Sequence, residues 1–290
     1  MEPALQINGL TKEYPGFKLD HVSFTLPCGT IMGLIGENGA GKSTTINAVL
    51  DLIRKDDGNI LFWGKELSHN PRQLKEDIGV VFDGINFYET LTPVKVGKIS
   101  AAAYRQWDPA AYKGFLDQFQ LPADKEIKTF SKGMKMKLSI AAAMSHQARL
   151  LILDEALSGL DPVVRAEILD MLREFVMDER HTVFLSSHIT SDIEKIADYI
   201  LLIHKGEILL YEDRDTLLEE YALIRCSAEE AAKLNPAIVV GVRRGRFDTE
   251  VLVRSRKGLE ADEHLVMDRA SLEDILLYTA GEPGNERCAG

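Results

Sequence analysis

The chain has 290 residues, enough to bury a substantial core as one large domain or as a main domain with an appendage. Its composition is that of an ordinary soluble globular protein, and a formal net charge of −11 argues against a general nucleic-acid binder, though a local basic patch would still fit. Three widely spaced cysteines, Cys28, Cys226 and Cys288, suit reduced thiols better than a disulfide framework or a zinc site.

The N-terminal MEPALQINGL has neither the basic start nor the apolar centre of a signal peptide, so the expectation is a chain made and kept in the cytosol. No apolar run reaches the roughly 20 residues needed to cross a bilayer. YILLIHKGEILL comes nearest and is broken by His204, Lys205 and Glu207.

The first strong signal is GTIMGLIGENGAGKSTT. A strand over Ile31 to Ile35 runs into Gly36, Glu37, Asn38, Gly39, Ala40, Gly41, Lys42, Ser43 and Thr44, which fits G-x-x-x-x-G-K-[ST] with a helix after it. Glycines let backbone N–H groups curl around phosphate oxygens, and the helix N-terminus adds partial positive charge. Lys42 is placed to reach the β- and γ-phosphates of ATP and Ser43 to ligate Mg²⁺.

Next comes DIGVVFDGINFYE, whose apolar run Ile78 to Phe82 reads as a buried strand ending on a carboxylate, Asp83. From about Thr90 to Phe130 the pattern becomes helical, which reads as an insertion between two core strands. ARLLILDEA then repeats the strand-to-acid theme: Leu150 to Leu153 lead to Asp154 and Glu155. A strand that carries Asp154 to the C-terminal edge of a parallel sheet brings it near Mg²⁺, and Glu155 is placed to deprotonate a water attacking the γ-phosphate. In LDPVVRAEILDMLREFV, Asp161 stands at an N-cap, Pro162 at the first helical position, and Val164, Ile168, Leu172 and Phe175 recur at helical spacing. TVFLSSH and YILLI are further nearly continuous apolar runs, the look of strands covered on both faces. After about Tyr221, AIVVGVRRGRFDTEVLVRSR alternates like strands and SLEDILLYTA reads as a closing helix.

Taken in order, GENGAGKST, TFSKGMKMKL, LILDEA, SGLDP and the histidine after TVFLSS resemble the ATP-binding cassette (ABC) ATPases over about residues 4 to 220. The resemblance implies an α/β fold: a P-loop NTPase core with an antiparallel β subdomain, a helical subdomain at about 90–130 and a small α+β accessory domain over 221–290. It also implies roles. Ser131 and Gly133 match the family signature, whereas Lys132, Met134 and Lys135 depart from it. In the family this segment faces the phosphate loop of a second subunit, and the SKGM form is similar to that of exporter cassettes whose membrane part is a separate chain. His188 corresponds to the switch histidine that contacts the γ-phosphate. Tyr14 corresponds to the adenine-stacking ring, although a surface tyrosine beside Pro15 and Gly16 also suits a turn. Asp83 occupies the place of a glutamine that touches Mg²⁺ or the attacking water; it is kept as a catalytic and metal-site residue, since Asp can meet Mg²⁺ directly or through water, and an Asp-Gly turn is its other reading.

The implied protein is an ATP-binding, ATP-hydrolysing subunit that works as a homodimer or heterodimer with Mg²⁺. It would drive a separate transmembrane subunit of an exporter, of peptides or antibiotics for example, from the cytoplasmic face of the membrane. A soluble ABC ATPase acting on ribosomes or DNA is the competing class; the tandem cassettes or long coiled coil usual there are not visible, and nucleic acid is not an expected partner. A module that binds without hydrolysis is disfavoured by Glu155 and His188.

Overall fold

The computed structural model describes residues 2–67, 71–84, 87–245, 248–254, 266–280 and 285–286. Cys288, Ile85–Asn86 after the acid-ended strand, and Arg246–Phe247 of the alternating segment lie outside them. The chain runs β1 (Leu5–Tyr14), β2 (Phe17–Leu26), β3 (Ile31–Ile35), α1 (Lys42–Val49), β4 (Asp57–Phe62), β5 (Lys65–Glu66), α2 (Pro71–Glu76) and β6 (Ile78–Phe82). It continues through α3 (Pro93–Ala103), α4 (Pro109–Gln118), α5 (Lys132–Met144), β7 (Leu150–Asp154), α6 (Pro162–Val176), β8 (Thr182–Ser187), α7 (Thr190–Ile196), β9 (Tyr199–His204), β10 (Glu207–Asp213) and α8 (Arg214–Glu220).

The central sheet has the order β10-β9-β3-β8-β7-β6, parallel except for β10 at the edge. Its inner strands β3, β7 and β8 are buried at every position because both faces are covered, and successive side chains go to opposite sides. Ile31, Ile35, Leu151, Leu153, Val183 and Leu185 join a core with α5, α6 and α7. Met32, Leu34, Leu150, Ile152 and Phe184 instead join a core with α1 and the N-terminal sheet, β2-β1-β4-β5. The mixed α/β architecture is the expected one.

The insertion is helical for readable reasons: Thr92 and Asp108 cap α3 and α4, each with proline at the first position. Its core is not self-contained, since Val96, Tyr112, Leu116 and Phe130 pack with Leu138, Ala141 and Ala142 of α5. Signature helix and insertion are therefore one packed body.

From Tyr221 the chain builds a third sheet from β11 (Tyr221–Cys226), β12 (Val239–Arg244), β13 (Thr249–Arg254), β14 (Val266–Arg269) and β15 (Asn285–Glu286), in the order β14-β11-β13-β12-β15. The short α9 (Ala228–Ala231) lies between β11 and β12, and α10 (Leu272–Ala280) between β14 and β15. Buried Tyr221, Leu252, Leu272, Ile275 and Tyr278 belong to the same apolar cluster as the α6 and α7 side of the central sheet. The Glu194 carboxylate in α7 accepts from Leu272 N–H at 3.0 Å, so α10 is tied to the helix that follows His188.

Candidate nucleotide site

Parallel register brings four strand ends into line. Phe82 pairs with Asp154, Asp154 with Ser186, and Ile35 with Ser187. Residues just beyond these pairs, Gly36 through Ser43, Asp83, Glu155 and His188, are therefore gathered at one edge of the sheet, although they are far apart in sequence.

After Ile35 the backbone turns through Gly39 at φ +82° and Gly41 at φ +118°, conformations that favour glycine. Space is also limiting, because a Cβ on Gly36 would stand 2.3 Å from the Ile203 carbonyl oxygen. Glu37, Asn38, Gly39 and Ser43 face solvent, Thr44 is half-buried, and Ala40 is buried with its carbonyl accepting from Gly206 N–H at 2.8 Å. The β9–β10 hairpin thus braces the loop from behind.

Lys42 is buried, with its ammonium donating to the carbonyls of Gly36 (2.7 Å) and Glu37 (3.0 Å) and lying 3.1 Å from Glu155 Oε1. The other Glu155 oxygen lies 2.7 Å from His188 Nδ1. Glu155 Oε1 is buried and accepts no hydrogen bond among the described residues, so the ion pair with Lys42 is what meets its charge. Glu155 itself has φ +50°, a strained conformation of the sort that clusters at functional sites. Asp154, also buried, accepts from Ser186 Oγ at 2.6 Å, and that hydroxyl accepts from the Glu155 N–H at 2.9 Å. Ser186 therefore orients both acids. Sequence reading missed it, and the only signal was a strand of apolar residues finishing on two hydroxyls.

A cation bound by Asp154 and Ser43 would meet a carboxylate and a hydroxyl, the hard oxygen donors that Mg²⁺ takes while keeping several waters. The loop carries φ-positive glycines ahead of a helix start, and Lys42 currently sits on three acceptors that phosphate oxygens can replace. The residues present fit Mg²⁺ and a nucleoside triphosphate.

Other expected residues lie further out. Tyr14 ends β1 half-exposed, with Lys12 Nζ 5.3 Å from its ring centroid. Phe17, across the turn, lies against the loop: its ring is 3.1 Å from where a Cβ on Gly41 would stand. Ser131 caps α5, accepting from Met134 N–H at 3.2 Å, and Gly133 is buried against Val164. The Asp161 carboxylate caps α6 through Val163 N–H at 2.9 Å. Four residues into α6, Arg165 Nε lies 3.3 Å from buried Asp192 of α7, a link between the helices that follow SGLDP and His188. Burial pushes the Asp192 carboxyl above its ordinary range against the pull of Arg165 and Lys195.

Asp83 is joined to the cluster through its backbone, its N–H donating to the Asp154 carbonyl at 2.9 Å. Its exposed carboxylate points elsewhere, to Lys132 Nζ at 2.9 Å.

A glycine loop between strand and helix, with a strand-borne aspartate beside it, defines a P-loop nucleotide-hydrolysing protein. The family described as ABC transporter matches residues 19–158. The chain is 35% identical over 212 residues, 72% of its length and 69% of the other's, to the bacitracin transport ATP-binding protein BcrA of Bacillus licheniformis. It is 34% identical over 216 residues, 73% of its length and 91% of the other's, to the lantibiotic transport ATP-binding protein SrtF of Streptococcus pyogenes. Over 98% of its length and 94% of the other's it is 29% identical to the daunorubicin/doxorubicin resistance ATP-binding protein DrrA of Streptomyces peucetius. A solved ATP-binding subunit of an ABC transporter superposes with a TM-score of 0.66 at 29% identity, covering 74% of this chain and 92% of that one. The chain belongs to the ABC transporter ATPases, and its activity is ATP hydrolysis. No helix among the described residues is long and apolar enough to cross a membrane.

Proposed function

We propose that this chain is the motor of an exporter whose membrane-spanning part is a separate polypeptide, with amphipathic antibiotics or peptides as cargo. Two ATPase subunits would close over two Mg-ATP, each presenting Ser131 and Gly133 of its signature helix to the other's phosphates. The single observation that carries the reading is the chain Lys42–Glu155–His188 at the joined strand ends, with Asp154 and Ser186 beside it. The relatives named for bacitracin, lantibiotic and daunorubicin support the cargo class.

Mg²⁺, when bound, supplies charge neutralisation at the phosphates. Lys42 exchanges its carbonyl and carboxylate acceptors for β- and γ-phosphate oxygens, which frees Glu155 Oε1 to accept a proton from the attacking water. His188 holds the other carboxylate oxygen and the water's orientation. Electrostatics and positioning do most of the catalysis. Tyr14 and Phe17 offer aromatic surface to the adenine ring.

The membrane partner's cytosolic helix would sit in a groove between the central sheet and the insertion, lined by Leu50, Leu52, Val80, Phe82 and Tyr104. The protein would thereby lie at the cytoplasmic face of the membrane.

Glu155→Gln should keep ATP affinity within about threefold yet lower turnover by about 10²–10⁴-fold, and accumulate as an ATP-bound dimer on size exclusion. Wild-type turnover in that variant would remove Glu155 from the base role. Purification of tagged protein from detergent-solubilised membranes should bring down a multi-spanning chain; ribosomes or DNA in its place would favour a soluble ABC ATPase.

A further inference from the structure

Two residues that depart from the family pattern meet each other. Asp83 stands where the family has glutamine, Lys132 stands inside the signature, and their side chains form an ion pair at 2.9 Å. Asp83 has a fixed base, since its N–H is bonded to the Asp154 carbonyl at the end of the neighbouring strand. Lys132 is the first residue of α5, where a cation is of the wrong sign for the helix dipole and gains from a nearby anion. Its Nζ also lies 3.3 Å from where a Cβ on Gly159, at φ +64°, would stand, so the ammonium that pairs with the strand end also lies against the SGLDP turn. A second pair, Lys135 to Glu89 at 2.8 Å, ties the same helix to the loop that follows Asp83.

We propose that Lys132 is a positioning residue, a clasp that holds the Asp83 carboxylate on the signature helix of its own subunit and out of the metal's reach. Asp83 shares a strand edge with Asp154, and its carboxylate is paired with Lys132 instead of facing that neighbour's metal-binding side. The clasp takes the place of a neutral amide: an unpaired carboxylate beside Asp154 would add negative charge where the triphosphate must bind, and Lys132 cancels that charge. This inference rests on the nucleotide site proposed above.

The test is Mn²⁺ binding to the purified full chain in the presence of ADP, followed by electron paramagnetic resonance. Lys132→Met frees the carboxylate and should tighten Mn²⁺ about threefold to tenfold, since each added charged ligand raises divalent-cation affinity. Asp83→Asn alone should leave Mn²⁺ affinity unchanged, the double variant should return to the wild-type value, and Lys132→Arg should match wild type. Weaker Mn²⁺ binding in Asp83→Asn would make Asp83 a metal ligand already and overturn the clasp, as would an unchanged Lys132→Met. Failure of wild type to bind Mn²⁺ with ADP at all would count against the nucleotide site instead. Amine acetylation read by mass spectrometry gives a second measure: Asp83→Asn should raise labelling of Lys132 but not Lys135, and Glu89→Gln the reverse. Equal labelling of Lys132 in wild type and Asp83→Asn would refute the pairing.

Discussion

Asp154 and Asp83 are the same side chain at the ends of adjacent parallel strands, yet their surroundings separate them. Asp154 is 8% exposed and held by buried Ser186, at the strand ends that also carry buried Lys42 and half-buried Glu155. Asp83 has a side chain 46% exposed and is held by an equally exposed lysine. A buried charge fixed by a short hydrogen bond keeps its geometry, whereas an exposed ion pair can exchange partners at low cost. The β7–β8 end is built for precision and the β6 end for adjustment, which suits a strand that leads into the insertion.

That contrast is open to attack at several points. The largest effect is expected at Asp154: its change to Ala should lower ATP turnover by at least about 10²-fold, while Asp83→Asn stays within about threefold of wild type, measured side by side with saturating Mg²⁺. Comparable losses would erase the distinction. Next is Ser186→Ala, which removes the donor to Asp154 and the acceptor for the Glu155 N–H; denaturant unfolding should show a loss of about 1–3 kcal/mol, with turnover falling as well.

Asp192 tests the buried side of the comparison away from the chemistry. Its carboxyl is raised by burial, so its contribution to stability is fully present below the ordinary value of 3.8 and is lost as pH rises through the raised folded value. Relative to wild type, Asp192→Asn should therefore gain stability as pH increases across that window, and a pH-independent difference would show that Arg165 neutralises the burial cost completely. The smallest effect is the stability change of Asp83→Asn itself, within about 1 kcal/mol by chemical denaturation, as befits an exposed pair. A larger loss would place it with the buried group.

How much of this was legible beforehand follows the same division. The inner strands β3, β7 and β8 announce themselves because burial on both faces leaves nearly continuous apolar runs, broken by polar residues only at their ends. Helix α6 does so through Asp161 and Pro162. The first two strands carry no such mark: β1 has register shifts between Ile7 and Leu10 and between Leu10 and Lys12, with Gly9 at φ +64°, and this breaks the alternation a strand would show. YILLIHKGEILL, read as an interrupted apolar run, is a hairpin turning at Lys205 and Gly206, both at positive φ. At the site, motif spacing singled out Lys42, Asp154 and Glu155, and the family resemblance added His188, whereas Ser186 as the orienting hydroxyl and Lys132 as the partner of Asp83 came only from geometry. Which lysine meets which acid depends on how α5 packs against the sheet, and local sequence carries no record of that.

The two grips on Glu155 have a metabolic side. One oxygen of the Glu155 carboxylate is engaged by the Lys42 ammonium and the other by the His188 imidazole, so an attacking water has to compete with both for the base. A triphosphate that draws Lys42 onto its own oxygens would vacate Oε1, and it would do so with the bond to be cut already in place. The machine is thus primed by its fuel, and an idle copy has no free base with which to spend it.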